Sequence, residues 1–436
     1  MKNRVDVLID RLSEIHPKGF DLSLDRISSL LEKLGNPQDR LPPVIHVAGT
    51  NGKGSTIAFA RAILEAQGFS VHVHTSPHLV NWRERYRLAG DLVGDDLLAD
   101  AIERVADAND NQPITVFELL SAVMFVLFSE HAADFALVEV GLGGRFDATN
   151  VIARPIACAI SPVALDHQAY LGDTIEKIAF EKAGIIKQGV PVAVGLQADG
   201  ARDVIEQVAA RNKSPVFIAR QDYDFYQDAT GFVYQDNQGL LDLPMPRLLG
   251  EHQLANAALA IATTRLAGIA VTDRAFQTAM KTVSWPGRFE KLPSGNIGSK
   301  LPEGTEIWID GGHNPSAGEA ISALLAGLDR GAVRRTILVC GMINTKDPTG
   351  YLMPFSGLDI LVLTVPVSMS EAGIEPELLK GIAEKAGLEA RACNTLEEAI
   401  GLIARELDTS PQSRIVFCGS LYLVGEVLDR NGTPPQ

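Results

Sequence analysis

His46-Val47-Ala48-Gly49-Thr50-Asn51-Gly52-Lys53-Gly54-Ser55-Thr56 is the stretch on which the reading of this chain turns. Val44 to Ala48 is an apolar run with β propensity, a glycine-rich turn follows it, and Ile57 to Gln67 is compatible with a helix. A strand, a loop and a helix in that order aim backbone N–H groups and a helix N-terminus at an anion. Gly49, Gly52 and Gly54 let the backbone approach phosphate closely, and Lys53 supplies a cation for β/γ oxygens. The match to the usual phosphate loop is incomplete. Gly-x-x-x-x-Gly-Lys-Ser/Thr would place glycine at Val47, and Gly54 rather than Ser or Thr follows Lys53. An ordinary glycine turn is the competing reading, and Gly-Lys with β before and α after favours phosphate.

A chain of 436 residues exceeds one typical core, so two or more domains are expected. Its 46% hydrophobic and 21% charged content describes a globular protein. The net charge of −15 argues against broad binding to nucleic acid or anionic membrane, so anionic ligands need local cations such as Lys53, Arg83, Arg85, Arg145 and Arg288. Cys158, Cys340, Cys393 and Cys418 are scattered, three of them in apolar β-like runs, and read as buried thiols of a reducing compartment. The N-terminus alternates charged and apolar residues without a signal-peptide core, and Leu119 to Phe128 is too short to span a membrane. A cytoplasmic location is expected.

Strands delivering polar loops recur along the first part of the chain. Ser70 to His74 leads to Thr75-Ser76-Pro77-His78; Asp134 to Val140 carries Glu139 near its end and leads to Gly141-Leu142-Gly143-Gly144-Arg145-Phe146-Asp147. Ile156 to Ile160 leads to Ser161 through Asp166 and His167. A strand-end carboxylate beside a phosphate loop is where an ATP-bound magnesium ion is held; pairing of Glu139 with Arg145 is the plainer alternative. Helical spacing covers 22–34, 95–106 and 117–128, with Glu118 either complementing a helix N-terminus or serving a ligand. His72, His74 and His78 suggest a zinc cluster at first sight, but no Cys or carboxylate is near in sequence, and partly exposed polar histidines are expected. Lys182, near the end of a helix opening at Thr174, reads on sequence alone as a solvated lysine.

Tyr223 to Leu243 alternates aromatic and polar residues around Gly231 and Gly239, predicting antiparallel hairpins. The texture changes between Val283 and Lys300, which places a domain junction near residue 295. Strands at 305–310, 336–340, 360–365 and 414–418 then alternate with helices near 316–328, 376–386 and 395–407. The fold class is therefore α/β. Residues 1–295 form a P-loop ATPase-like parallel-sheet domain with a small antiparallel sheet, and 296–436 form a Rossmann-like α/β domain. No Gly-x-Gly-x-x-Gly stands at the second series' strand ends, so a dinucleotide cofactor is not expected.

Several separate stretches resemble one family. Gly49 to Ser55, Thr75 to His78, Glu139 to Gly144, Leu165-Asp166-His167, Glu181 to Ile185, Gly250 with His252-Gln253 and Asn256-Ala257, Pro286-Gly287-Arg288 and Asp310 to Pro315 are similar to the Mur ligase superfamily. Gly54 after the lysine points to its folate branch, the folylpolyglutamate synthases and bifunctional dihydrofolate synthase/folylpolyglutamate synthases.

That resemblance implies an ATP-dependent amide ligase acting through an acyl phosphate, with ATP, L-glutamate, dihydropteroate and tetrahydrofolates as small-molecule partners and a monomeric protein. It implies that Thr50 to Lys53 hold the ATP phosphates, Ser76 and Glu139 one Mg2+, and His167 a second. Lys182 matches a lysine carbamylated by carbon dioxide. Asn256 would contact adenine, and Arg288 and Asp310 the nucleotide, so domain closure is expected for catalysis. His313, with Ser420, is the candidate for glutamate. At the pterin end, Phe20-Asp21, Thr115 to Glu118 and Phe146-Asp147-Ala148 match dihydropteroate-binding stretches. Aromatics at 20, 117 and 146 could stack on a flat heterocycle, although at least one of them is expected to be core. Other readings are a folylpolyglutamate synthase alone, a Mur-type ligase of another carboxylate, and a non-catalytic ATP-driven switch.

Overall fold

The computed structural model describes residues 3–15, 23–328, 335–409 and 413–436. They fall into two compact units: Met1–His78 with Trp82–Arg247 and Gln253–Val283, and Leu79–Asn81 with Leu248–His252 and Ser284–Gln436. Phe20 and Asp21 lie outside the described residues.

The first unit is built on eight strands: β1 (Val44–Ala48), β2 (Val71–His74), β3 (Tyr86–Leu88), β4 (Asp91–Leu92), β5 (Phe135–Glu139), β6 (Ala157–Ile160), β7 (Val192–Val194) and β8 (Val216–Ile218). Their order is β4-β3-β2-β5-β1-β6-β7-β8, parallel from β2 to β8, with β3 and β4 antiparallel at one edge. The apolar runs at 44–48, 135–139 and 157–160 follow from this topology, because a parallel strand covered on both faces has no solvent side. Helices Val116–Glu130 and Asp95–Asn109 pack one face with Tyr86 and Phe128, while Ile175–Ala183 and Asp199–Arg211 join a second cluster with Ile160 and Val192. A three-stranded antiparallel sheet follows, β9 (Tyr223–Gln227), β10 (Phe232–Asp236) and β11 (Gly239–Leu243), as the alternation over 223–243 predicts.

The second unit holds β12 (Glu290–Lys291), β13 (Glu306–Ile309), β14 (Thr336–Cys340), β15 (Ile360–Thr364), β16 (Glu389–Ala392) and β17 (Arg414–Cys418) in the order β12-β13-β17-β14-β15-β16. All pairs are parallel except β12 with β13, which gives the expected Rossmann-like arrangement. Arg288 belongs to this unit together with Asp310.

The sequence reading missed the edges. β3, β4, β12 and β16 are short or half-exposed, so no apolar run announces them. The helix Arg4–Ile15 was hidden by its charges, which are the solvent face of an amphipathic helix anchored through Val5, Ile9 and Leu12. No helix among the described residues is long and apolar enough to cross a membrane, and all four cysteines are buried thiols.

Tyr86, fully buried on β3, donates its hydroxyl to the carbonyl of Leu120 at 2.9 Å and so ties the antiparallel edge to the Val116–Glu130 helix. Tyr86→Phe removes that hydrogen bond while the carbonyl keeps its intrahelical partner, and is expected to destabilise the protein by about 1 kcal/mol. Urea unfolding monitored on the first unit measures it, and an unchanged midpoint would contradict the assignment.

Candidate active site

Four adjacent strands, in the order β2-β5-β1-β6, run parallel and therefore end on one edge of the sheet. Ser76 follows β2, Glu139 is the last residue of β5, the Gly49–Lys53 loop follows β1, and Ser161 to His167 follow β6. Residues scattered over about a hundred positions of sequence thus share one edge, beside the point where strand order reverses and open α/β sheets bind ligands.

The loop after β1 is folded against its neighbour. Thr50 and Asn51 donate their N–H groups to the carbonyl of Pro162 at 2.9 and 3.3 Å. The Thr50 hydroxyl donates to Ala164 O at 3.1 Å and accepts from Ala164 N at 3.0 Å. The helix Lys53–Gln67 then starts with no side-chain cap at Gly52. Its first-turn N–H groups point at the loop, the arrangement that favours an anion. Gly52 has φ +88°, and a β-carbon there would lie 2.3 Å from Asn256 Oδ1, so this position has to be glycine. The same contact brings Asn256 to the loop, where Gln253 Oε1 accepts from its amide at 3.0 Å.

Two lysines meet under this loop. Lys53 Nζ donates to the carbonyls of Gly49 (3.2 Å) and Thr50 (3.3 Å), and Lys182 Nζ donates to the same Gly49 carbonyl at 2.9 Å. The Lys182 residue is only 5% exposed, so the expectation of a solvated helix lysine is overturned. Glu139 stands nearby, with its Oε1 3.9 Å from Lys53 Nζ and its Oε2 accepting the Ser76 N–H at 3.2 Å. Arg145 is not its partner. That guanidinium forms an ion pair with Glu181 at 2.7 Å and lies over the rings of Phe146 and Phe180 at 4.3 and 5.1 Å.

Two lysine side chains drawn to one loop carbonyl, with the loop's N–H groups and a helix N-terminus beside them, suit an anion in an acidic protein. His167 sits in the left-handed region at φ 51°, half-exposed, its N–H donating to Asp166 Oδ1 at 2.8 Å.

A carboxylate, a hydroxyl and an imidazole at these strand ends suit a hard divalent cation that takes its other ligands from phosphate and water. Among the described residues no three His, Cys, Asp or Glu side chains converge as a metal cage. The histidines of β2 are structural, and they are buried rather than partly exposed. His72 bonds His131 O and the Ala89 N–H and stacks on Phe128, whereas His74 bonds Arg85 O. His78 lies against Trp82 and accepts from Arg85.

The pterin candidates divide. Thr115 and Glu118 close a capping box on the Val116–Glu130 helix, and Glu118 also pairs with Arg26 at 3.2 Å. Phe117 lies over Gly141, where a β-carbon would come within 2.2 Å of its ring. That contact places an aromatic face immediately after the end of β5. Phe146 is half-buried under Arg145 and Ala148 is buried. The Asp147 carboxylate caps the turn Ala148–Val151 and accepts the Leu142 N–H at 2.9 Å.

In the second unit, Asp310 follows β13 and accepts N–H groups from Phe289 (2.9 Å) and Gly312 (2.6 Å). Burial pushes its pKa up and Arg288 opposes the shift. His252, lowered to about 4 by burial and by Arg288, is near the same guanidinium. His313 bonds the Gly311 carbonyl at 2.9 Å, and Ser420 caps the Leu421–Asn431 helix at the end of β17, the strand beside β13. Sequence reasoning missed the Gly49 carbonyl as the meeting point of two lysines and the Thr50–Ala164 latch. Both use backbone atoms, which leave no mark in residue identity.

Residues 47–264 match the Mur ligase middle domain and 287–421 the Mur ligase glutamate ligase domain. The chain is 33% identical to a folylpolyglutamate synthase of Lacticaseibacillus casei, over 92% of each protein. It superposes with a TM-score of 0.87 and 28% identity on Escherichia coli FolC in complex with DHPP and ADP, covering 98% of this chain and 97% of that one. A bifunctional folylpolyglutamate synthase/dihydrofolate synthase from Yersinia pestis, complexed with AMPPNP and Mn ion, gives 0.85 and 29% over 98% and 99%.

Burial lowers the pKa of His46 and of His74 from 6.5 to about 3, so each is a neutral imidazole in the folded chain. The unfolded chain binds more protons between pH 6.5 and 3, and stability must fall as pH falls through that window. Acidification from pH 6 to 5 is expected to cost on the order of 1 kcal/mol per histidine, measurable as a drop in denaturation midpoint that is absent between pH 8 and 7.

Proposed function

The chain belongs to the Mur ligase family, among the folylpolyglutamate and dihydrofolate synthases, which are ATP-dependent ligases, and from that premise we propose that it joins L-glutamate both to dihydropteroate and to tetrahydrofolate mono- and polyglutamates. The observation that carries the reading is the convergence of Lys53 and Lys182 on the Gly49 carbonyl beside Glu139, at the N-terminus of an uncapped helix. It is a place for the phosphates of ATP next to a carboxylate able to face a metal ion.

A carboxylate is a poor electrophile, and ATP makes one of its oxygens a leaving group. The pteroate carboxylate attacks the γ-phosphorus, ADP departs, and an acyl phosphate forms. The amine of glutamate attacks the acyl carbon, loses a proton and expels phosphate, leaving the amide. The protein's task is to position the groups and to offset charge. Lys53 and the N–H groups of Gly52 to Ser55 hold the β- and γ-phosphates, and Asn256 faces the base. Ser76, Glu139 and His167 are assigned to Mg2+, which screens phosphate charge when bound, with two ions expected. Lys182 as a carbamate would put an anion opposite Lys53 where two cations now meet. Phe117, Phe146, Asp147 and Ala148, with Thr115 and Glu118 behind them, are assigned to the pterin. Arg288 and Asp310 are assigned to the nucleotide, and His313 to glutamate. E. coli FolC binding DHPP and ADP, and the Yersinia relative binding AMPPNP and Mn, support these assignments.

A folylpolyglutamate synthase without the first activity is the second reading, favoured by the Lacticaseibacillus relative of that name. Phosphate release separates the two. Turnover with dihydropteroate plus glutamate and with tetrahydrofolate plus glutamate is expected; release with tetrahydrofolate alone would remove the first activity, and silence with both would remove the folate reading. Glu139→Ala and His167→Ala are each expected to reduce turnover by about a hundredfold or more with circular dichroism unchanged. Retained turnover in both would refute the metal assignment.

A further inference from the structure

β1 is apolar except for His46, which is completely buried with Val138 of β5 and Cys158 of β6 as its neighbours across the sheet. Leucine or valine would fill that position without desolvating an imidazole. The His46 Nδ1 has no hydrogen-bond partner among the described residues, an omission that costs about 1–3 kcal/mol. Its Nε2 lies 2.8 Å from Thr149 Oγ1.

The direction of the contact follows from Asp147. Thr149 Oγ1 is 2.5 Å from Asp147 Oδ1, which also accepts the Thr149 N–H at 3.0 Å, while Oδ2 accepts the Leu142 N–H at 2.9 Å. Burial raises the Asp147 pKa, but hydrogen bonds from Thr149 and from the backbone N–H groups of Leu142 and Gly141 favour the carboxylate, so the Thr149 proton goes to Asp147 and the hydroxyl lone pair receives His46 Nε2–H. Two donor arms therefore converge on Asp147, one from His46 in the middle of the central strand through Thr149 and one from the amide of Leu142. They close the 142–149 loop, the loop that carries Phe146 and Ala148.

We propose that His46 is a positioning residue for the pteroate substrate, acting through Thr149 and Asp147 to hold the loop that presents Phe146 and Ala148. The proposal rests on the assignment of that loop to the pterin. ATP is outside its reach, because parallel ladders to β5 and β6 fix the β1 backbone, and with it the phosphate loop, whatever the side chain at 46.

The test compares Thr149→Val, Thr149→Ser and His46→Leu with the unaltered chain by phosphate release and by hydrogen–deuterium exchange of peptides spanning 141–150. Thr149→Val and His46→Leu are expected to raise the KM for dihydropteroate about tenfold and leave that for ATP within about twofold, with faster exchange confined to 141–150. Thr149→Ser, which keeps the hydroxyl, is expected to restore both. A parallel rise in the two KM values, no rise in either, or a serine variant no better than valine would overturn the proposal. Should Thr149→Val fail to fold, His46→Leu and Thr149→Ser decide alone. If the unaltered chain releases no phosphate with either folate, the functional reading has failed, and exchange judges the relay. Faster exchange limited to 141–150 in the valine or leucine variant, and not in the serine variant, sustains the chain of contacts; unchanged exchange ends it.

Discussion

The position of β1 between β5 and β6 is the constraint from which the site follows. A parallel sheet puts every strand's C-terminal end on one edge, and a central strand with a neighbour on each side brings three loops together there. β1 contributes the phosphate loop, β5 Glu139 and β6 the Ser161–His167 segment, while β2 adds Ser76 one strand further along. Slipping β1 by one residue would exchange its two faces. His46 would leave Thr149, and Val47 would lose its place against Glu139 in the β1–β5 register. Fold and site are specified by the same pairing.

Electrostatics then divides the labour within that edge. The chain as a whole is acidic, yet the half-buried Lys53 and the buried Lys182 share a single carbonyl. Like charges held close together are stabilised by a negative group that enters between or beside them, so this place favours an anion. Glu139 keeps that preference from becoming indiscriminate, since it repels anions that arrive without a cation.

Much of this was legible in the residues. The alternation of apolar runs and helical spacing gave both α/β sheets, because buried parallel strands have to be apolar throughout. Gly49, Gly52 and Lys53 marked a strand–loop–helix turn, and Glu139 was legible as a strand-end carboxylate beside it. What escaped notice was of two kinds. β3, β4, β12 and β16 are two to four residues long and partly exposed, so no apolar run marks them, even where one side chain such as Tyr86 is buried. Residues with a polar look, His72, His74 and Lys182, proved to be buried, because their partners are backbone carbonyls contributed by distant segments. Residue type reports what a side chain can do, and the partner it finds is a property of topology.

The latch between Thr50 and Ala164 carries one more consequence. Its two hydrogen bonds, with those from Thr50 and Asn51 to Pro162, fasten the phosphate loop to the segment that carries His167. The chain's own hydrogen bonds therefore set the shape of the loop, and little chain entropy remains to be lost there if a ligand binds. Because the two segments are joined, the geometry of one is referred to the other at Pro162 and Ala164. Thr50 thus makes a hinge out of the question at the floor of the site, and any compliance needed for substrates to enter and products to leave has to reside in the walls.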